Sequence, residues 1–197
     1  MTRPRLLDLF CGAGGAAMGY HRASFDVIGV DINPQPHYPF PFIQGDALEY
    51  VREHGKEYDA IHASPPCQHY AAVTEWRGNT DDHPDLIPMT QALLEQTGKP
   101  YVIENVARAP LHGAFRLCGT LFNLNIRRHR YFECPSLDYQ LVEPCRHNGE
   151  MAFMHKYERA YADAMGCDWM TTHEAREAIP PAYTEWIGKQ LMKVVRP

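Results

Sequence analysis

The chain has 197 residues, 45% of them hydrophobic and 22% charged, enough for one compact core with a small appended lobe and too few for two ordinary enzyme domains. Its net charge of −5 excludes a surface coated in basic residues, so any polyanion must be met by a local patch. Neither a low-complexity run nor an internal repeat interrupts it, which excludes a disordered or solenoid architecture.

The basic start, Met1-Thr2-Arg3-Pro4-Arg5, is followed by an apolar stretch broken by Asp8. That stretch is too short for a signal peptide or a membrane span, so a cytoplasmic protein with no membrane partner is expected. Leu6 to Phe10 reads as a strand running into Cys11-Gly12-Ala13-Gly14-Gly15, with a helix continuing through Ala16 and Tyr20; the order is strand, tight turn, helix. Phe25 to Asp31 reads as a second buried strand, which closes a βαβ unit and implies parallel pairing. A short third strand, Phe42-Ile43-Gln44, precedes Gly45-Asp46, which is either a turn or the source of a ligand-binding carboxylate. Two more central strands are predicted at Asp59 to Ala63 and Pro100 to Glu104, with a helix between them over about residues 84–97 that stops at Gly98. The alternation predicts an α/β, Rossmann-like fold with a mostly parallel, doubly wound sheet. From Phe132 to Thr172 the pattern is turn-rich, and an irregular lobe is expected. Helix returns around Glu174 to Ala178, and Ile179-Pro180-Pro181-Ala182-Tyr183 restarts the chain into a C-terminal helix ending near Val195.

Ligands of such sheets bind at the carboxyl ends of the strands. The glycine cluster, Asp31, Cys67 and Glu104 each lie at a predicted strand end, so all four are expected at one rim. Gly12-Ala13-Gly14-Gly15-Ala16-Ala17 fits G-x-G-x-x-G/A, and Asp31 follows Gly12 by 19 positions, near the spacing of a ribose-binding carboxylate. A dinucleotide and S-adenosyl-L-methionine share the adenosine that such a loop holds, so the loop alone leaves both open. Ser64-Pro65-Pro66-Cys67-Gln68 presents a thiol in a proline-stiffened turn, where it is either a nucleophile or an inert cysteine. Glu104-Asn105-Val106 would place a carboxyl group beside it. The densest basic run is Arg127-Arg128-His129-Arg130.

Taken in order, Asp8-Leu9-Phe10-Cys11-Gly12-Ala13-Gly14-Gly15, Asp31, Gly45-Asp46, Ser64-Pro65-Pro66-Cys67-Gln68, Glu104-Asn105-Val106 and Arg128-His129-Arg130 resemble the motifs of cytosine-5 DNA methyltransferases. The resemblance implies a class I methyltransferase fold and methylation of C5 of cytosine in DNA from S-adenosyl-L-methionine. It implies that Cys67 adds to C6, that Glu104 binds the exocyclic amine and N3, and that Arg128 and Arg130 hold the target phosphate or O2 while lowering the thiol pKa. Phe10, Gly12, Gly14, Gly15, Asp31, Asp46 and Pro66 would hold the cofactor, with Gln68 and Asn105 supporting the catalytic loops. The target base would be flipped out of duplex DNA.

The implied organisation is a catalytic domain over residues 1–132, a short recognition-like lobe over 133–172 and a returning segment over 173–197. Three features depart from the family. Position 31 is Asp in place of Glu, the C-terminal Gly-Asn-Ser/Ala element looks replaced by Ile187-Gly188-Lys189-Gln190, and the lobe is much shorter than a usual target-recognition domain. Weak discrimination among flanking bases is therefore expected, along with a monomer that could work beside a restriction endonuclease or specificity factor. The six cysteines contain no Cys-x-x-Cys pair, so no metal site is assigned and Cys134, Cys145, His147 and Cys167 are read as scattered groups, with a zinc staple as the alternative. Other readings keep the chemistry on RNA or a free cytidine nucleotide, or make the chain a nicotinamide-dependent oxidoreductase or a silent DNA-binding module.

Overall fold

The structure, a computed structural model, describes residues 2–67, 69–70, 84–137, 142–147 and 158–196. Seven strands form one sheet: β1 (Arg5–Leu9), β2 (Asp26–Asp31), β3 (Phe42–Gln44), β4 (Ala60–Ala63), β5 (Tyr101–Asn105), β6 (Phe115–Leu117) and β7 (Arg130–Glu133). Their order is β3-β2-β1-β4-β5-β7-β6. The first five are parallel, and β7 runs antiparallel to both β5 and β6. The Rossmann-like, mostly parallel sheet expected from the alternation of elements is thus present, and the strand order reverses beside β1, where such sheets open a crevice.

Helices α1 (Gly15–Arg22) and α6 (Pro181–Val195) cover one face of the sheet, while α2 (Ala47–His54) and α3 (Ile87–Thr97) cover the other. Leu7, Leu9, Ile61 and Ile103 pack on the α2 and α3 side, and Tyr20, Phe25, Phe132 and Tyr183 on the α1 and α6 side. Strands buried on both faces explain why β1 and β4 are apolar at successive positions rather than alternating, with Asp8 and His62 as buried polar exceptions. The α1 and α6 axes approach closely because Gly19 and Gly188 lie in the contact. A Cβ on Gly19 would overlap Thr184 and Pro181, and one on Gly188 would sit 2.7 Å from the Ala23 Cβ.

Several boundaries differ from the predicted ones for local reasons. β1 stops at Leu9 because Phe10 turns into the left-handed region at φ 56°. Helix α3 starts at Ile87, with Pro88 in its first turn, where a missing N–H costs nothing. Helix α2 was hidden by its short, polar-rich sequence; its N-cap is Asp46, whose Oδ1 accepts the Leu48 and Glu49 N–H groups at 2.8 and 2.9 Å.

The expectation of an irregular segment after Phe132 needs correction. Helix α4 (Glu158–Met165) folds there, and with α5 (Thr172–Glu177), close to the helix expected at Glu174 to Ala178, it packs around Ile126, Tyr161, Met165, Cys167 and Met170. Helix α4 is only eight residues long and lies in a turn-rich stretch, which is why pattern alone did not reveal it. The Trp169 indole N–H donates to the Ala13 carbonyl at 2.9 Å, tying this small core to the glycine loop. Among the described residues no helix is long and apolar enough to cross a membrane.

Candidate active site

A cavity of about 370 Å³ opens at the carboxyl ends of β1, β2, β4 and β5, within the size range of small-molecule sites. Phe10, Gly12, Asp31, Cys67, Glu104 and Arg130 all line it. The glycine loop, the acid that ends β2, the thiol and the acid of β5 therefore share one rim, as their strand-end positions foretold.

On the β1–β2 side, Asp31 organises the loop. Its Oδ2 accepts the Gly12 N–H at 3.0 Å and its Oδ1 accepts the Asn33 N–H at 2.9 Å, which orients the carboxylate while leaving further lone pairs open. Gly12 has φ 47°, and a Cβ built on it would meet nothing within 4 Å; the glycine leaves the cradle open where a side chain would fill it. Gly14 does a different job from the one expected. It lies outside the lining, has φ 85° and would drive a Cβ to 2.8 Å from Pro39, so it shapes the entry to α1. Beneath the loop sits Asp8, a fully buried acid whose pKa burial raises well above the usual range and whose Oδ1 accepts no hydrogen bond. Asp8 also lines the cavity.

On the β4–β5 side, Asn105 joins the two loops. Its Nδ2 donates to the Pro65 carbonyl at 2.8 Å and its Oδ1 accepts the Val106 N–H at 2.9 Å, so the Cys67 turn is held to the end of β5. Glu104 is buried, and burial raises its pKa against the opposing pull of Arg130 and Arg128. Arg130 Nε lies 2.8 Å from Glu104 Oε1. The approach is oblique, so Oε1 accepts no well-directed hydrogen bond and the contact is ionic. Behind Glu104 runs a polar chain: the Tyr20 hydroxyl meets His62 Nδ1 at 3.0 Å, His62 Nε2 meets Ser64 Oγ at 2.9 Å, and Ser64 hydrogen-bonds Glu104.

The arginines were expected to bring the Cys67 thiol down. Burial instead raises its pKa on balance, with Arg130 and more weakly Arg128 pulling against it and Glu104 adding to it. The two arginines also part company. Arg130 lines the cavity, whereas the Arg128 guanidinium is buried outside it, donating to the Tyr161 hydroxyl at 2.8 Å and the Arg176 carbonyl at 2.7 Å. Asp46 is likewise outside the lining, with one carboxylate oxygen committed to the α2 cap. Gly15 and Pro66 line the cavity, and Gln68 lies outside the described residues.

The far wall was missed from sequence. It is helix α5 and the turn from it into α6, with Glu174, Arg176, Ala178 and Ile179 facing the cavity. A capping box formed by Thr171 and Glu174 starts α5, and His37 from the β2–β3 connection meets Glu174 at 2.8 Å. The Thr-x-x-Glu pattern was visible as a helix start; nothing in it said which side of the sheet it would close.

The model of one protein family, described as C-5 cytosine-specific DNA methylase, matches residues 4–114. The type II methyltransferase M.XorII of Xanthomonas oryzae is 32% identical over 123 residues, spanning 54% of this chain and 29% of that protein. The type II methyltransferase M.AquIA of Picosynechococcus is 29% identical over 119 residues, 52% of this chain and 48% of its own. The chain thus spans less than half the length of these relatives. Among solved structures, the Entamoeba histolytica methyltransferase EhMeth superposes with a TM-score of 0.50 at 16% identity, covering 76% of this chain and 58% of that one, a likeness of fold.

Proposed function

The chain belongs to the C-5 cytosine-specific DNA methylase family, and from that premise we propose that it methylates C5 of cytosine in DNA through a covalent adduct of Cys67 at C6. The observation that carries this reading is the shared cavity, in which the Cys67 thiol, the Glu104–Arg130 pair and the Asp31–Gly12 loop line one wall-to-wall space. An oxidoreductase reading gives the thiol and buried acid no joint purpose.

S-adenosyl-L-methionine fits the loop side: Asp31 carries open lone pairs for ribose hydroxyls, Gly12 leaves room for close backbone approach, and Phe10 offers an apolar wall. Bound there, it would supply an electrophilic methyl group. Cys67 would add as thiolate to C6, passing the C5–C6 electron pair to C5. Glu104, with a pKa raised by burial, can hold a proton and donate it to N3, which offsets the negative charge that grows on the ring as the sulfur adds. Arg130 would keep that acid oriented and favour the thiolate. After methylation, loss of the C5 proton to water returns the electron pair to C5–C6 and expels the Cys67 thiolate, and N3 gives its proton back to Glu104. A paired cytosine cannot bring C6 to a thiol in a cavity, so the base must leave the stack.

The test is methyl transfer from labelled S-adenosyl-L-methionine to duplex DNA, single-stranded DNA, RNA and dCMP, comparing wild type with Cys67→Ser. Transfer to duplex DNA that the substitution abolishes is expected. Transfer that Cys67→Ser leaves intact overturns the covalent mechanism, and transfer confined to RNA or dCMP overturns the substrate. Bisulfite sequencing of the methylated DNA checks the expectation of weak flanking specificity.

A further inference from the structure

We propose that Cys118, His129, Cys145 and His147 form a tetrahedral zinc site, separate from the active-site cavity, that clips residues 142–147 onto the β6–β7 hairpin. One ligand atom from each of the four lies within 4.8 Å of all the others. Zinc bonds of about 2.3 Å to sulfur and 2.0–2.1 Å to nitrogen place tetrahedral donors roughly 3.5 Å apart for S and N and roughly 3.3 Å apart for two nitrogens. Here Cys118 Sγ lies 3.4 Å from His147 Nε2, Cys145 Sγ 3.5 Å from His129 Nε2, and the two Nε2 atoms 3.2 Å apart.

Hydrogen bonding alone accounts poorly for this arrangement. Each Nε2 has one in-plane lone pair or one N–H, yet each faces both a sulfur and the other imidazole. A single cation at the centre satisfies all four directions at once. Two thiolates and two neutral imidazoles neutralise a divalent ion, with two thiol protons released on binding, and an S₂N₂ tetrahedron selects zinc over harder ions. Groups around the sulfurs fit thiolates: Arg116 Nη2 donates toward Cys145 Sγ at 3.6 Å and the Thr120 hydroxyl toward Cys118 Sγ at 3.5 Å.

The ligand set differs from the quartet considered from sequence. Cys134 and Cys167 are buried in separate apolar clusters, while Cys118 and His129 come from the two ends of the hairpin connection, just after β6 and just before β7. No local spacing motif could reveal ligands brought together by antiparallel pairing. Because His129 sits between Arg128 and Arg130, fixing it also fixes the backbone from which Arg130 reaches Glu104.

Untagged protein purified without chelator should carry about one zinc per chain by elemental analysis, and cobalt(II) exchange should give thiolate-to-cobalt charge-transfer bands with visible bands of tetrahedral intensity. Cys145→Ser and His147→Ala should each cut bound zinc at least about tenfold, while Cys134→Ser keeps it. His147→Cys should restore the metal with a cobalt spectrum shifted toward more thiolate. Zinc-free wild type that shows no thiolate bands on cobalt addition overturns the site, as does full zinc in both Cys145→Ser and His147→Ala. The cobalt spectrum is read on the wild-type chain, so it decides the matter even if a variant fails to fold.

Discussion

His62 should make the fold acid-sensitive in a defined window. The ring is fully buried in β4, between the Tyr20 hydroxyl and Ser64 Oγ, and burial lowers its pKa from 6.5 to about 3. The folded chain therefore refuses a proton that the unfolded chain accepts below about pH 6.5, so stability is complete above that pH and is lost as pH falls toward 3. Each pH unit inside the window costs up to about 1.4 kcal/mol, which integrates to about 2 kcal/mol between pH 7.5 and pH 5.0. Urea unfolding of wild type and His62→Gln at both pH values isolates this group, because the other histidines contribute equally to both proteins. Wild type should lose about 2 kcal/mol more than the variant over that interval. Equal losses would refute the claim that His62 is held neutral by its surroundings.

The remaining predictions concern the cavity and the helix contact behind it. Arg130→Gln removes the largest charge opposing the burial of Cys67, so the pH midpoint of iodoacetamide alkylation should rise; an unchanged midpoint removes Arg130 from thiol activation. Glu104→Gln retains shape but can no longer deliver a carboxyl proton, and methyl transfer should fall about 10²-fold or more with cofactor affinity by calorimetry unchanged. Asn105→Ala leaves the Pro65 carbonyl and the Val106 N–H without their partner, which should cost about 1–3 kcal/mol in urea unfolding. Gly188→Val forces a side chain toward Ala23 and Tyr20, and a comparable or greater loss of stability is expected.

What the sequence disclosed followed from local chemistry. Strands β1, β2, β4 and β5 are apolar runs ending in glycine, proline or acid, and the rule that ligands gather at carboxyl ends was enough to unite Gly12, Asp31, Cys67 and Glu104. The misses arose where a residue's partner is distant in the chain. Asp46 read as either a turn or a ligand carboxylate; two amides of its own helix take one of its oxygens, and it lies outside the cavity lining. Arg128 and Arg130 are indistinguishable as a pair, and only the packing of α4 and α5 decides that Arg128 turns to Tyr161 while Arg130 faces Glu104. Asp8 reads as an interruption of an apolar strand, and its burial beneath the glycine loop appears only once β2 and Tyr38 cover it.

The antiparallel hairpin explains how a parallel sheet acquires the cation its acid needs. Glu104 on β5 pairs with Phe132 on β7, and side chains two residues apart on a strand share a face. Arg130 is therefore on the Glu104 face, one diagonal step away, where a long side chain can reach across. A slip of one residue would turn Arg130 to the opposite face and take from Glu104 its ion-pair partner. Three contacts resist that slip: Phe132 stacks on Phe115 at 5.8 Å, Tyr183 packs edge-on against Phe132, and the Tyr183 hydroxyl donates to the Arg128 carbonyl at 2.6 Å. Helix α6 thus sets the register of β7 from the same face of the sheet as Glu104, and through that register it holds Arg130 against Glu104.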